Sequence, residues 1–158
     1  NLLDLFMDNI KLLKKLDNTI DIKLSSNNEK IIFNSDKEQL SRVFFNLIKN
    51  SIESIQQKSE NNSNFSKKIT IEINKFDDNI VIEIIDNGIG FGKFEKNIRN
   101  ILNPYFTTKK NGTGLGLSIV NKIINDHNGK IEFISIDEGA KVHIYFNLND
   151  SRNINSWW

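Results

Sequence analysis

The 158-residue chain has no cysteine, one proline, one methionine and two histidines. Without thiols it can form no disulfide and carries no cysteine nucleophile. Two histidines far apart in sequence, with no thiols to join them, argue against a structural zinc site. Charge of one sign is also lacking: 21 Lys and Arg stand against 20 Asp and Glu, a net charge of +1. That balance gives no argument for nucleic acid, which calls for a basic excess or stripe. No apolar run approaches the ~18 residues of a membrane span. The length fits one domain, with or without a short tail, and suffices to bury a core. The first residue is Asn1, already in helical pattern, which predicts an excerpt from a longer chain. The abundance of Asn, Lys and Ile reads as source-genome composition and carries no function.

Glycine is scarce too, at eight residues, and unevenly placed. Three lie in Asn103–Val120, Asn-Pro-Tyr-Phe-Thr-Thr-Lys-Lys-Asn-Gly-Thr-Gly-Leu-Gly-Leu-Ser-Ile-Val, which also holds the only proline. This stretch reads as a basic loop feeding a glycine turn that opens a helix. A helix start presents unpaired N–H groups and the positive end of the dipole, so it suits an anion. It matches neither common nucleotide loop. No Gly-Lys-Ser/Thr follows the glycines, and Gly112-x-Gly114-x-Gly116 lacks the two-residue gap of the dinucleotide fingerprint.

Periodicity orders the rest. Leu2, Leu3, Phe6, Ile10, Leu13 and Leu16 predict an amphipathic helix over about 2–17. Ile20, Ile22 and Leu24 alternate with polar residues as a strand, and Lys30 to Asn34 reads as a short second one. Asp36 is a good N-cap, with Gln39 in capping-box position, for a helix to about Gln57. On that helix Asn46, Asn50 and Glu53 lie four and three apart, in register beside the apolar stripe. Lys58 to Lys68 is a polar loop. Ile69–Phe76 and Ile80–Ile85 form a hairpin around Asp77-Asp78-Asn79. Asp86-Asn87-Gly88-Ile89-Gly90 follows at once, fixing a carboxylate at a strand end beside glycines that let a flat ligand lie on the backbone. Phe91 to Leu102 holds a short basic helical pattern. A helix from Leu117 to about Asp126 ends at His127-Asn128-Gly129, with Gly129 as the terminating glycine. Lys130–Ser135 and Lys141–Leu148 read as strands around Asp137-Glu138-Gly139, ahead of a polar tail. Three helices and about six strands predict a two-layer α+β sandwich: a mixed, mainly antiparallel sheet with helices on one face.

Together, Asn46/Asn50, Asp86–Gly90 and Gly112–Gly116 resemble the N, G1 and G2 boxes of the GHKL ATP-binding fold. Histidine kinases, DNA gyrase B subunits, Hsp90 and MutL proteins share that fold. Asn103–Lys109 resembles the F box of histidine kinases. Four boxes in order are specific where any one is weak, and they extend over nearly the whole chain. Asn46-Leu-Ile-Lys-Asn50-Ser51 is similar to the histidine-kinase N box, with serines at 51 and 54 where alanine is usual. Pro104–Lys109 and the run through Gly112–Gly129 are most similar to the nitrogen-regulation sensor kinases of the NtrY and NtrB type.

The resemblance implies a catalytic and ATP-binding domain over 1–150, a phosphate lid at about 91–112, and a tail over 151–158. It implies that Asn50 ligates Mg²⁺, that Asn46 lines the phosphate end, and that Glu53 stands behind them. It implies that Asp86 accepts the adenine amine while Gly88 and Gly90 make room for the ring, with Ile89 and Ile55 as apolar contacts. Gly112, Thr113, Gly114, Leu115, Gly116 and Leu117 would hold the phosphates, with Thr107, Thr108, Lys109 and Lys110 on the lid. Asn46, Asn50 and Lys109 are the expected catalytic set, and ATP and Mg²⁺ the cofactors. In gyrase-like ATPases a glutamate one turn before the Mg²⁺ asparagine activates water. Asn46 occupies that place here, so phosphoryl transfer is expected over hydrolysis. No His-acidic phosphoacceptor motif is present. His127 is expected to cap and pack, and His143 to be structural. The acceptor histidine would lie on a dimerisation domain absent from the chain, and the further partner would be a response regulator. Neither nucleic acid nor membrane contact is expected of this domain. It would be cytoplasmic, within a parent anchored in the bacterial inner membrane. Two alternatives stand: another GHKL protein kinase, of anti-sigma or dehydrogenase-kinase type, or a degenerate nucleotide-binding or interaction module.

Overall fold

The computed structural model describes residues 1–60, 62, 64–91, 102 and 114–149. Among them lie three helices, α1 (Leu2–Leu13), α2 (Lys37–Ser59) and α3 (Gly116–Asp126). Five strands complete the set: β1 (Asp21–Ser26), β2 (Lys68–Phe76), β3 (Asn79–Asp86), β4 (Gly129–Ser135) and β5 (Ala140–Asn147). They form one sheet in the order β1-β2-β3-β5-β4. Only β1 and β2 run parallel, and α2 makes the crossover between them, as a parallel pair requires. The other pairs are antiparallel.

Strict alternation decides which face the helices cover. Ile69, Ile71 and Ile73 of β2, Ile80, Ile82 and Ile84 of β3, and Val142, Ile144 and Phe146 of β5 are buried, while their neighbours are half-exposed. The buried face meets Leu40, Val43, Phe44, Leu47, Ile48, Ile52 and Ile55 of α2, and Val120, Ile123 and Ile124 of α3. Phe6 of α1 stacks on Phe44 with ring centroids 3.9 Å apart. The opposite face carries Glu83 between Lys141 and His143. This is the expected two-layer α+β arrangement.

Three local expectations need correction. Lys30–Asn34 is not a strand. Ile31 instead hydrogen-bonds the start of α1, accepting from Leu2 N–H at 2.9 Å and donating its N–H to the Asn1 side-chain Oδ1 at 3.2 Å. Ile31 is buried and Phe33 packs on Phe146 with ring centroids 4.7 Å apart, while Ile32 faces solvent. The first helix stops at Leu13, short of 17. Lys15 and Leu16 close tighter turns onto Leu12 and Leu13, and the exposed Leu16 side chain has no packing to prolong the helix. After α3 the left-handed position falls on Asn128 (φ 57°), and Gly129 already begins β4. Asparagine tolerates that conformation through its short polar side chain.

His127 does cap and pack. Its Nδ1 donates to Ile123 O at 2.8 Å, which leaves Nε2 to accept the Asp36 N–H at 3.2 Å. It thus ties the end of α3 to the start of α2, where Asp36 accepts from Gln39 N–H at 3.0 Å.

Candidate functional site

The site begins with the parity of β3. Asp86 shares the side of Ile80, Ile82 and Ile84, so a carboxylate ends an apolar row beneath α2. It is 5% exposed. Burial raises its carboxyl above the ordinary value. The Gly88 N–H, the Ser51 hydroxyl, the Ala140 N–H and the Lys58 charge oppose that shift without cancelling it. Gly88 N lies 2.9 Å from Asp86 Oδ1. The Gly88 N–H therefore orients the carboxylate.

The next four residues are held as firmly. Asn87 prolongs the β2–β3 ladder with its side chain, accepting from Lys68 N–H at 2.9 Å and donating to Ser66 O at 2.7 Å. Gly88 is buried against α2, where a Cβ would stand 2.2 Å from Ser54 Oγ. Ile89 donates its N–H to Ser54 Oγ at 3.0 Å and leaves its side chain 49% exposed. Gly90, at φ 65°, passes so close to Gly139 that a Cβ would lie 2.5 Å from Gly139 O. Gly139 has φ 103° and backs in turn onto the Asp86 backbone. The β4–β5 turn thus buttresses Asp86–Gly90 from the side opposite α2. Phe91 leaves this turn in edge-on contact with Phe133, at 6.0 Å.

Along α2, Asn46 donates from Nδ2 to Arg42 O at 2.8 Å, which directs Oδ1 outward. A Cβ on Gly116 would lie 3.6 Å from that oxygen. The N-terminus of α3 and the Asn46 amide oxygen are therefore neighbours, although 70 positions separate Asn46 from Gly116. Among the described residues no side chain caps the N-terminus of α3. Gly114 precedes it at φ 67°. Asn50 lies one turn beyond Asn46, half-buried, and Glu53 pairs with Lys49 at 3.8 Å.

Of the sequence-derived residues, the structure brings Asn46 together with Gly116, and Asp86 together with Gly88 and Gly90. Leu115 and Leu117 bracket Gly116 at the start of α3. Ile55 is fully buried in the core, so it offers no ligand contact, whereas Ile89 is exposed enough to do so. Thr107, Thr108, Lys109, Lys110, Gly112 and Thr113, with most of the lid and the 151–158 tail, lie outside the described residues. Sequence reasoning missed Ser51, Ser54, Lys58 and Gly139. The first three stand at spacings of three and four, one stripe of α2. A cavity of 310 Å³ between the start of α1 and Phe33–Lys37 shares no residue with this site.

Among the described residues no three His, Cys, Asp or Glu side chains cluster. The amide oxygens along this stretch of α2 belong to Asn46 and Asn50. That set fits a hard cation that keeps its waters and bridges phosphates, and it does not fit a caged transition metal.

A two-layer sandwich with a buried aspartate at a strand end, glycines on both sides of it, and an asparagine helix facing a helix N-terminus defines a nucleotide-binding domain of the GHKL class. Residues 35–150 match the histidine kinase-, DNA gyrase B- and HSP90-like ATPase family, and the chain belongs to that family. It is 36% identical over 113 residues to nitrogen regulation protein NtrY of Azorhizobium caulinodans, covering 72% of this chain and 14% of that protein. It is 36% identical over 138 residues to a putative NtrY-like sensor histidine kinase of Rickettsia conorii, covering 87% of this chain and 22% of that one. The chain thus spans under a quarter of the length of these relatives. The nucleotide-free catalytic domain of histidine kinase ThkA superposes with TM-score 0.79 and 29% identity, over 93% of this chain and 92% of that one. The fold is that of a histidine-kinase catalytic domain, and the family is one of ATP-binding domains. No helix among the described residues is long and apolar enough to cross a membrane.

Proposed function

We propose that this chain is the catalytic domain that carries Mg-ATP to a histidine on a dimerisation domain of its parent sensor kinase, for onward transfer to a response regulator. The observation that carries the reading is a buried carboxylate at a strand end, Asp86, aimed by the Gly88 N–H at 2.9 Å. An ionised carboxylate offers about four acceptor positions. The Gly88 N–H takes one, on Oδ1. An acceptor position left open suits the exocyclic amine of adenine, and the carboxylate repels a base that presents a carbonyl there. Domain bounds of 1–150 and a lid at about 91–112 belong to the same proposal, as does a cytoplasmic site on a membrane-anchored parent. So does a response-regulator partner, of the kind seen in a complex of histidine kinase ThkA with the regulator TrrA.

The triphosphate would extend from Asp86 along α2 to the start of α3. There the N–H groups after Gly114 face the anion. Asn46 and Asn50 would hold Mg²⁺ and its waters, and Lys109 and the lid threonines would close over the γ-phosphate. The bound cation neutralises phosphate charge. The protein's own part is positioning and electrostatics, which phosphoryl transfer chiefly needs. Asn46 has an amide, not a carboxylate, and its nitrogen is committed to Arg42 O. It makes a poor base for water.

The test is transfer in trans. This chain is incubated with Mg-ATP and a two-helix dimerisation domain bearing the acceptor histidine of an NtrY-type kinase. Acid-labile phosphate should appear on that domain, with hydrolysis slow in its absence. Rapid hydrolysis without an acceptor, and no transfer with one, would sink the proposal.

A further inference from the structure

We propose that Ser54 is a positioning residue that locks the adenine-recognising turn to α2 and so sets base discrimination. The inference rests on reading Asp86–Gly90 as that turn. Three α2 side chains, at positions 51, 54 and 58, reach it. The Ser51 hydroxyl stands beside the carboxylate of Asp86 and favours its charged form. Ser54 Oγ accepts the Ile89 N–H at 3.0 Å. Lys58 Nζ donates to Asn87 O at 2.9 Å, while its ammonium lies 4.9 Å over the Phe65 ring. A rigid helix therefore grips one turn at Asn87 and Ile89, with Ser51 beside Asp86.

Ser54 occupies the decisive place. Its Oγ takes the amide that follows Gly88 and fills the space beside Gly88, where even a Cβ would stand 2.2 Å away. Gly88 N–H in turn aims the Asp86 carboxylate. Ser54 fixes the Gly88–Ile89 peptide and Lys58 the Asn87–Gly88 peptide that carries the Gly88 N–H, so with both sides of Gly88 held, the Asp86 carboxylate keeps one direction. The same helix carries Asn46 and Asn50. The base end and the phosphate end of the ligand are thus referenced to one body. Nothing in this role needs Ser54 to touch the nucleotide.

The test uses Ser54→Ala, which improves helix propensity and leaves no void larger than one oxygen. Binding of the non-hydrolysable adenine and guanine triphosphate analogues is measured by calorimetry, alongside amide exchange of Ile89. Wild type should bind the adenine analogue preferentially, with the Ile89 amide protected. Ser54→Ala should lose about tenfold in adenine affinity, the equivalent of one well-made hydrogen bond, with much less effect on guanine, so the ratio narrows. Its Ile89 amide should exchange freely. An unchanged adenine-to-guanine ratio overturns the inference, as does an Ile89 amide that exchanges freely in wild type, a result that needs no variant to fold. If wild type binds neither analogue, the nucleotide reading itself fails and takes this inference with it.

Discussion

Gly88→Ala is the most informative single perturbation of the turn. A Cβ there would meet Ser54 Oγ at 2.2 Å, the Ser54 carbonyl carbon at 2.7 Å and Ser54 Cβ at 2.8 Å. Carbon atoms pack at about 3.5–4.0 Å, so the turn and α2 must separate by roughly 0.8 Å or more. Overpacking of this kind costs about 1–3 kcal/mol. For a domain of this size that lowers the melting temperature by about 2–12 °C. The displacement also pulls Gly88 N–H from Asp86, so adenine-nucleotide affinity should fall by about tenfold or more. Trimming the neighbour separates this account from a simpler one. Ser54→Gly removes Oγ and Cβ but leaves the backbone carbon at 2.7 Å, so the double variant should stay destabilised. Gly116→Ala is the control: among the described residues its Cβ would meet only Asn46 Oδ1, at an ordinary 3.6 Å, on a helix that favours alanine. Its melting temperature should equal or exceed that of wild type. Differential scanning calorimetry with and without nucleotide reads all three. A Gly88→Ala protein that melts with wild type, or full rescue by Ser54→Gly, would refute the reasoning.

Two predictions concern pH. Burial holds the folded Asp86 carboxyl above its unfolded value. This group therefore favours folding most below about pH 3.9, and the contribution is lost as pH rises through its raised folded value. Adenine recognition needs the ionised form, so affinity should fall as pH drops through that value, and Asp86→Asn should bind weakly with no such dependence in calorimetric titrations across pH. Asp17 behaves oppositely. Burial raises its carboxyl, but Lys67 at 2.8 Å, Thr19 and Gln56 outweigh this and hold it well below the usual range. Its contribution, about 1–3 kcal/mol, is present above about pH 3.9 and lost as pH falls toward the folded value. Urea unfolding of Asp17→Asn from neutral to acid pH should show lower stability at neutrality and a shallower acid limb. Identical limbs would remove Asp17 from the account.

What could be read from the chain was local. Alternation in Ile69–Ile73 and Ile80–Ile84 gave the hairpin and its buried face, because a strand's side-chain period does not depend on its partner. Asp36 and Gln39 announced α2, because a helix cap is a contact between near neighbours. Asn46, Asn50 and Asp86 stood out as polar residues beside apolar stripes. What escaped was settled between distant elements. Lys30–Asn34 has strand composition, but its hydrogen-bond partner is the N-terminus of α1. Ser51 and Ser54 looked like small residues replacing small residues, and only the approach of the Asp86–Gly90 turn gives their hydroxyls work. Gly139 read as an ordinary turn glycine until Asp86 and Gly90 were found against it. The parallel pairing of β1 with β2 likewise rests on contacts across more than 40 positions.

The central claim is that Asn50 and Asp86 hold opposite ends of one Mg-nucleotide. Calorimetric titration of a non-hydrolysable ATP analogue, with and without Mg²⁺, into wild type, Asn50→Ala and Asp86→Ala tests it most directly. Wild type should bind more tightly with Mg²⁺. Asn50→Ala should bind equally with and without it, and Asp86→Ala should lose about tenfold or more under both conditions. Binding to Asp86→Ala as tight as to wild type, or an undiminished Mg²⁺ effect in Asn50→Ala, would contradict the account.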